Sequence, residues 1–228
     1  MKIIFVRHGH PDYKKDCLTE LGHLHAKAAA ERLRNEKIDS MYASTCGRAV
    51  ETAEYIAAVH NMSVEKYDFM REINWGSIDD EPIFENGHPW YTVDNMVAKG
   101  QSVRNADWAS QEPFHRNKVT TSVQNVADNF DKWLASFGYE REGMYYRVAR
   151  KNTDTLVMVS HAGSSSAVFS RLFNMDFPFV CAAIKPDFTA ITIVSFEGEE
   201  GSLISPSFEL MNDARHIQGI CAEKVFGR

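Results

Sequence analysis

An α/β sandwich on a mostly parallel sheet is the fold class this sequence predicts, and three observations carry it. An apolar strand-like run, a polar turn and a helix-like pattern follow one another three times, starting at residues 3, 38 and 155. Two of those runs, Ile-Ile-Phe-Val at 3–6 and Thr-Leu-Val-Met-Val-Ser at 155–160, lack period-two alternation, as strands covered on both faces do. The 228 residues, 44% of them hydrophobic, suffice for one large domain at roughly 150 residues per domain, with room for an insertion. Sheets of this kind bind ligands beyond the carboxyl ends of their strands, so the residues just after each strand are where chemistry is expected.

The elements follow in order. After the first strand, Thr19 is placed to cap a helix in which Gly22, Ala26, Ala29 and Leu33 recur on one face, small enough to lie flat on a sheet. Residues 38–44 read as a second strand ending in Ser44, and residues 47–60 as a helix with Ala49, Ala53, Ile56 and His60 in register. Between Gly76 and Val119 the periodicity lapses among prolines, glycines and the aromatic residues Phe84, Trp90, Tyr91, Trp108 and Phe114. A long aromatic connection in a compact domain is usually functional, so residues 77–118 are expected to form a substrate cap inserted into one domain spanning 1–228.

Val119, Val123, Val126, Phe130, Trp133, Leu134 and Phe137 then mark a long amphipathic helix whose apolar stripe belongs to the core. Residues 147–151 read as a short basic patch at the end of a surface helix. The strand at 155–160 leads into a helix at 164–173. Residues 188–196 and 202–210, flanking Gly198-Glu-Glu-Gly201, predict a hairpin that adds antiparallel strands at or near a sheet edge.

Composition narrows the function. Acidic residues outnumber basic ones, 31 to 25, which disfavours nucleic acid or an anionic membrane as partner while leaving room for a local positive pocket. No apolar stretch approaches the roughly 18 residues of a membrane span. The run at 3–6 is broken by Arg7-His8 before it resembles a secretory leader, so a cytoplasmic location is expected. Cys17, Cys46, Cys181 and Cys221 include no Cys-x-x-Cys pair and read as free thiols rather than zinc ligands or disulfides.

The chemistry sits at three strand-end junctions: Arg7-His8-Gly9, Ser44 through Arg48, and His161-Ala162-Gly163. Two guanidiniums and two imidazoles at one sheet edge make a cationic pocket on an acidic protein, and the arginine fork fits phosphoryl oxygens. Helices starting just past the second and third junctions add backbone N–H donors and partial positive charge.

These junctions resemble the histidine phosphatase superfamily, the phosphoglycerate mutase-like family. Its Arg-His-Gly triplet matches Arg7-His8-Gly9, its Leu-Thr-x-x-Gly matches Leu18 to Gly22, its Ser-x-x-x-Arg-Ala-x-x-Thr-Ala matches Ser44 to Ala53, and its Ser-His-Ala-Gly matches Ser160 to Gly163. The resemblance implies a three-layer sandwich with a mostly parallel central sheet flanked by helices. It also implies a phosphomonoesterase in which His8 becomes phosphorylated, with Arg7, Arg48 and His161 holding the equatorial oxygens and the Ala162 N–H assisting. Gly9, His10 and Ser44 are the further expected substrate contacts. In the Met70-to-Gly76 segment, Glu72 matches the family's carboxylic acid, the general acid that protonates the leaving alkoxide. No metal or other cofactor is implied, because side-chain cations supply the charge. A small phosphoester is the expected partner, and oligomeric state is left open.

Two departures from the pattern matter. Ser77-Ile78-Asp79 stands where the family often has Trp-Glu-Gly, and His10-Pro11-Asp12-Tyr13 replaces the Glu/Thr-x-x-Asn of its mutases. The second departure favours hydrolysis over the alternative of a bisphosphoglycerate-dependent phosphoglycerate mutase. A non-catalytic phospho-ligand binder is the further alternative. A His-x-His metal site formed by His8, His10, Asp12 and His161 is a third, though it gives the arginines no role. His23 and His25 face apart on their helix and make no metal pair. In the cap, His88, Arg104, His115, Arg116 and Lys118 are within the segment expected to meet a polar substrate tail.

Overall fold

The computed structural model describes residues 1–220. β1 (Lys2–Arg7) is the apolar run at the start of the chain, and two short strands, β2 (Pro11–Asp12) and β3 (Cys17–Leu18), pair beyond it. α1 (Glu20–Leu33) follows, capped as the sequence predicts: the Thr19 hydroxyl accepts the Gly22 N–H at 3.1 Å. β4 (Ser40–Ser44), α2 (Gly47–His60) and β5 (Val64–Tyr67) complete the first half. The second half comprises α3 (Pro89–Ala98), α4 (Val119–Ser136), β6 (Tyr139–Glu142), β7 (Tyr145–Val148), β8 (Thr155–Ser160), α5 (Ala162–Phe173), α6 (Phe177–Ala183), β9 (Ile191–Ser195), β10 (Leu203–Ile204) and β11 (Ser207–Asp213).

The main sheet has six strands in the order β11-β9-β1-β8-β4-β5. β1, β8, β4 and β5 are mutually parallel, and β9 and β11 add antiparallel pairings on the far side of β1. The two faces of the sheet read directly from alternate residues. Ile3, Phe5, Leu156 and Met158 face a core filled by Phe130, Trp133 and Leu134 of α4 and by Val168, Phe169 and Leu172 of α5. Ile4, Val6, Val157 and Val159 face Ala30 and Leu33 of α1 and Ala49, Ala53 and Ile56 of α2. Small residues on α1 and α2 let both helices approach closely, which is why this second layer is thin.

Three local readings need correction. Residues 147–151 are not a helix end: Arg147 lies in β7, part of a small antiparallel sheet ordered β10-β7-β6. There Arg147 pairs with Glu142 at 2.6 Å and Lys151 with Glu199 at 2.8 Å, so the basic patch is largely neutralised. The charged Glu-Arg-Glu of β6 had hidden that strand's pattern. The expected C-terminal hairpin exists as β9 with β11, but β10 leaves between them to join the small sheet. Within residues 77–118, α3 forms with Pro89 in its first turn and buries Thr92, Val93 and Met96. Four buried positions, Pro89 among them, are too few to stand out among neighbouring prolines and glycines. Cys17, Cys46 and Cys181 are free thiols, and Cys221 lies outside the described residues.

One buried side chain pins the base of the 77–118 excursion. Asn117 is fully buried, donates to the Gly87 carbonyl at 2.7 Å, and accepts the N–H groups of Gly76 at 3.2 Å and Val119 at 3.1 Å. Beside it, Ser77 and Asn117 form an antiparallel bridge. Each buried partner left unpaired costs about 1–3 kcal/mol. Asn117→Ala is expected to lower unfolding free energy by about 3 kcal/mol, read as a lower midpoint in denaturant titration.

Candidate active site

Parallel pairing assembles the site. The β1–β8 register sets Arg7 opposite Ser160, and the His8 N–H continues the ladder to the Ser160 carbonyl at 2.9 Å. With β4 the next strand over, Arg7-His8, Ser160-His161 and Ser44 emerge at one sheet edge. The His8 and His161 rings lie 5.1 Å apart between centroids.

His8 is 1% exposed, and its Nδ1 is 2.7 Å from the Gly9 carbonyl oxygen. A carbonyl only accepts, so Nδ1 carries the proton and Nε2 keeps its lone pair. Arg48 Nε donates toward that lone pair at 3.4 Å. Burial, and then the Arg7 charge, hold the His8 pKa down at about 3, with Arg48 adding to the effect and the Gly9 carbonyl opposing it. His8 is therefore neutral throughout the physiological range.

His161 is also neutral, its pKa far below the ordinary histidine value through burial first and then the nearby His8, Arg48 and Arg7. Its Nε2 is hydrogen-bonded with the Ser44 hydroxyl at 2.8 Å. Its Nδ1 is buried and has no protein partner among the described residues.

The two guanidiniums come from different elements. Arg7 donates from Nη1 to the Pro186 carbonyl at 2.7 Å and lies 4.2 Å over the Phe188 ring. Arg48 sits in the first turn of α2, buried, and is paired with Asp16. The Gly47 N–H, at the start of the same helix, donates to the other Asp16 oxygen at 2.8 Å.

Glu72 follows a short turn after β5 and accepts the Ile73 N–H at 3.0 Å. Desolvation raises its pKa, opposed by the Ile73 N–H, by Arg7 and Arg48, and by the Gly163 N–H. The beginning of α5 crowds this carboxyl: a Cβ on Gly163 would overlap Glu72 Oε1 and the Ile73 side chain. His161 is the N-cap, so α5 begins at Ala162, two residues before the sequence pattern suggested, and Gly163 falls in its first turn.

A cavity of about 1040 Å³ opens here, lined by Arg7, Arg48, Glu72 and Ala162 together with Arg71, Trp75, His88 and Trp90. Gly9, His10 and Ser44, like His8 and His161, lie behind the residues that line it. Gly9 donates to the Thr52 hydroxyl at 3.0 Å, His10 Nδ1 is bonded with the Thr19 hydroxyl at 2.9 Å, and Ser44 is fully buried behind His161. The metal alternative finds no convergent donor set: His8 Nε2 faces a guanidinium, and His10 is turned to Thr19. Among the described residues no His, Cys, Asp and Glu cluster is arranged to hold a metal ion.

Of the cap residues read from sequence, His88 lines the cavity, whereas Arg104 pairs with Asp176 and Arg116 with Asp79. Sequence reasoning missed Tyr13, Asp16, Arg71 and Trp75. Tyr13 and Asp16 lie in the short β2–β3 connection, and no spacing rule links such residues to a helix that begins about thirty positions later.

A lone-paired imidazole set among guanidiniums can accept a phosphoryl group, and a neighbouring carboxyl that holds its proton can release the alcohol. The class so defined is a phosphoryl-transfer enzyme on an α/β sandwich. The chain belongs to the histidine phosphatase superfamily (branch 1), whose family model matches residues 3–208, and it is a phosphatase of the histidine-nucleophile class.

A putative phosphoserine phosphatase 2 of Hydrogenobacter thermophilus is 23% identical over 212 residues, covering 89% of this chain and 93% of the relative. A probable phosphoglycerate mutase of Yersinia pestis matches only locally, 35% over 66 residues, or 29% of this chain and 31% of the relative. Among solved structures, a phosphoserine phosphatase from Entamoeba histolytica in complex with 3-phosphoglyceric acid superposes with a TM-score of 0.62 at 19% identity, covering 95% of this chain and 98% of that one. A mycobacterial glucosyl-3-phosphoglycerate phosphatase in complex with VO3 gives 0.61 at 21% identity, covering 92% and 98%. These likenesses establish the shared fold. No helix among the described residues is long and apolar enough to cross a membrane.

The contact between Gly163 and Glu72 carries an expected outcome. Gly163→Ala pushes the carboxyl out of place, and misplacement of a catalytic group by about 1 Å costs up to ~100-fold in rate. Steady-state kinetics should show kcat falling at least about tenfold, with the fold retained by circular dichroism.

Proposed function

We propose that this chain is a metal-independent, cytoplasmic phosphomonoesterase that works through phosphohistidine on a small phosphoester, with residues 77–118 as its substrate cap. The observation that carries the mechanism is the Nδ1–H bond to the Gly9 carbonyl at 2.7 Å, because it places the proton on Nδ1 and leaves Nε2 unprotonated within the guanidinium pocket. In the first half-reaction Nε2 attacks phosphorus in line, the bond from phosphorus to the ester oxygen breaks, and Glu72 gives its proton to the departing alkoxide. In the second, the Glu72 carboxylate takes a proton from water, the hydroxide attacks phosphorus, and the N–P bond breaks to release orthophosphate and neutral His8. Arg7, Arg48 and His161 Nδ1 stabilise the equatorial oxygens.

Three described free thiols fit a reducing compartment. Hydrolysis is favoured over the mutase alternative by the extent of the matches: the phosphatase relative aligns along most of the chain, the mutase over less than a third. The cavity, at about 1040 Å³, lies at the upper end of the usual ~300–1,000 Å³ of small-molecule sites. It also presents Trp75, 38% exposed, beside His88 at 4.8 Å. An alcohol bulkier and more apolar than serine fits this wall best.

Labelled phosphoester quenched in alkali should leave an acid-labile phosphoprotein in the parent chain and none in His8→Ala. Absence of label in both would sink the mechanism and favour the non-catalytic binder. The pH profile has a definite sign. His8, with its pKa near 3, stays a neutral nucleophile well below pH 6.5, so no acid limb appears there. Glu72, raised by desolvation, stays protonated above the ordinary carboxylate range, and activity falls as pH rises through that elevated value. In Glu72→Gln the alkaline limb disappears and kcat drops by about 10²–10⁴. Stacking on the wall is tested by comparing 2-phenylethyl phosphate with propyl phosphate: Trp75→Ala should lower kcat/KM about tenfold more for the ring-bearing ester, while Trp75→Phe retains the preference.

A further inference from the structure

His8 is almost wholly buried, although its Nε2 must meet phosphorus, and what covers it is specific. Arg48 reaches across that nitrogen, its Nε 3.4 Å away. The Tyr13 ring sits 5.4 Å from the Arg48 guanidinium and 6.4 Å from the His8 ring. Arg48 is held in this pose by Asp16, whose second oxygen takes the Gly47 N–H at 2.8 Å. One carboxylate thus engages a guanidinium and a helix-start amide together, the same kinds of donor that a phosphoryl oxygen uses.

The connection is shaped for this reach. Asp16 adopts the left-handed backbone conformation, with φ of 52°, which Asp tolerates better than most residues. Its carbonyl oxygen lies so near Gly47 that any Cβ there would overlap it. The Asp16 side chain is 40% exposed, so the pair is partly hydrated and cheap to exchange.

We propose that Asp16 is a resident anion that positions Arg48 over His8 and must yield its donors to the phosphoryl group, so that Asp16 sets the affinity for substrate phosphate and for product orthophosphate. Asp16 is a positioning residue, acting through Arg48. When phosphate arrives, the displaced carboxylate stays close enough to repel the dianion, which weakens binding and favours product release.

The proposal rests on the phosphate site read above but not on turnover, so its test is direct binding. Isothermal calorimetry with orthophosphate should give a Kd about fivefold lower for Asp16→Asn than for the parent chain, the effect of one unit-charge repulsion in a hydrated site. Asp16→Ala should show the same direction, which keeps the test meaningful if one variant folds poorly. In steady state KM falls in both, and kcat does not rise. Unchanged or weaker orthophosphate binding in both variants overturns the proposal. A chain that binds orthophosphate more tightly on losing Asp16, yet forms no phosphohistidine, upholds the role of Asp16 while refuting the hydrolytic mechanism.

Discussion

Burial of two imidazoles beside two guanidiniums is the constraint around which this structure is arranged. Arg7 and Arg48 bring two guanidiniums to the site, and His8 and His161 lie buried beside them. Desolvation first, and the neighbouring charges after it, keep the two imidazoles neutral. The neutrality that a nucleophilic histidine needs thus comes from enclosing it, with the arginines beside it acting in the same direction. The Gly9 carbonyl settles which nitrogen keeps the remaining hydrogen. Glu72 responds to the same enclosure in the opposite sense, because burial favours the uncharged form of an acid as well.

The sandwich supplies the rigidity that this arrangement requires. β1 and β8 are apolar on both faces and carry the two histidines on their last residues' heels, so neither imidazole can shift without disturbing a core. Further support comes from hydroxyl groups: Ser44 on His161, Thr52 on the Gly9 amide, and Thr19 on both His10 and the first turn of α1. Two glycines allow backbones to come near enough for the site to close, Gly163 toward Glu72 and Gly47 toward Asp16. A side chain at either position would take space already occupied.

How much was legible in the sequence follows from the range of each interaction. Unbroken apolar runs, helix periodicity and the Thr19 cap are local, and β1, β4, β8, α1, α2 and α4 formed where those signals stood, whereas the edge strand β5, half exposed, carried no such run. Segments whose identity depends on a distant partner were misread. Residues 145–148 became a strand because β6 and β10 lie alongside, and α3 became a helix with only a few buried positions to mark it. Gly9, His10 and Ser44 were expected at the substrate, and the structure adds their hydrogen bonds to Thr52, Thr19 and His161, partners that adjacency in the chain does not announce.

From its sequence alone, this protein declared a parallel α/β sheet and the chemical identity of its equipment: a histidine after the first strand, a second after a late strand, an arginine one turn into a helix, and an acid between them. Such statements need only composition, periodicity and order along the chain. The tertiary structure alone decided that Asp16 reaches Arg48, that Gly163 makes room for Glu72, and that Trp75 and Trp90 join the cavity wall. Those contacts depend on the directions in which separate elements pack, and direction is a property of the folded chain.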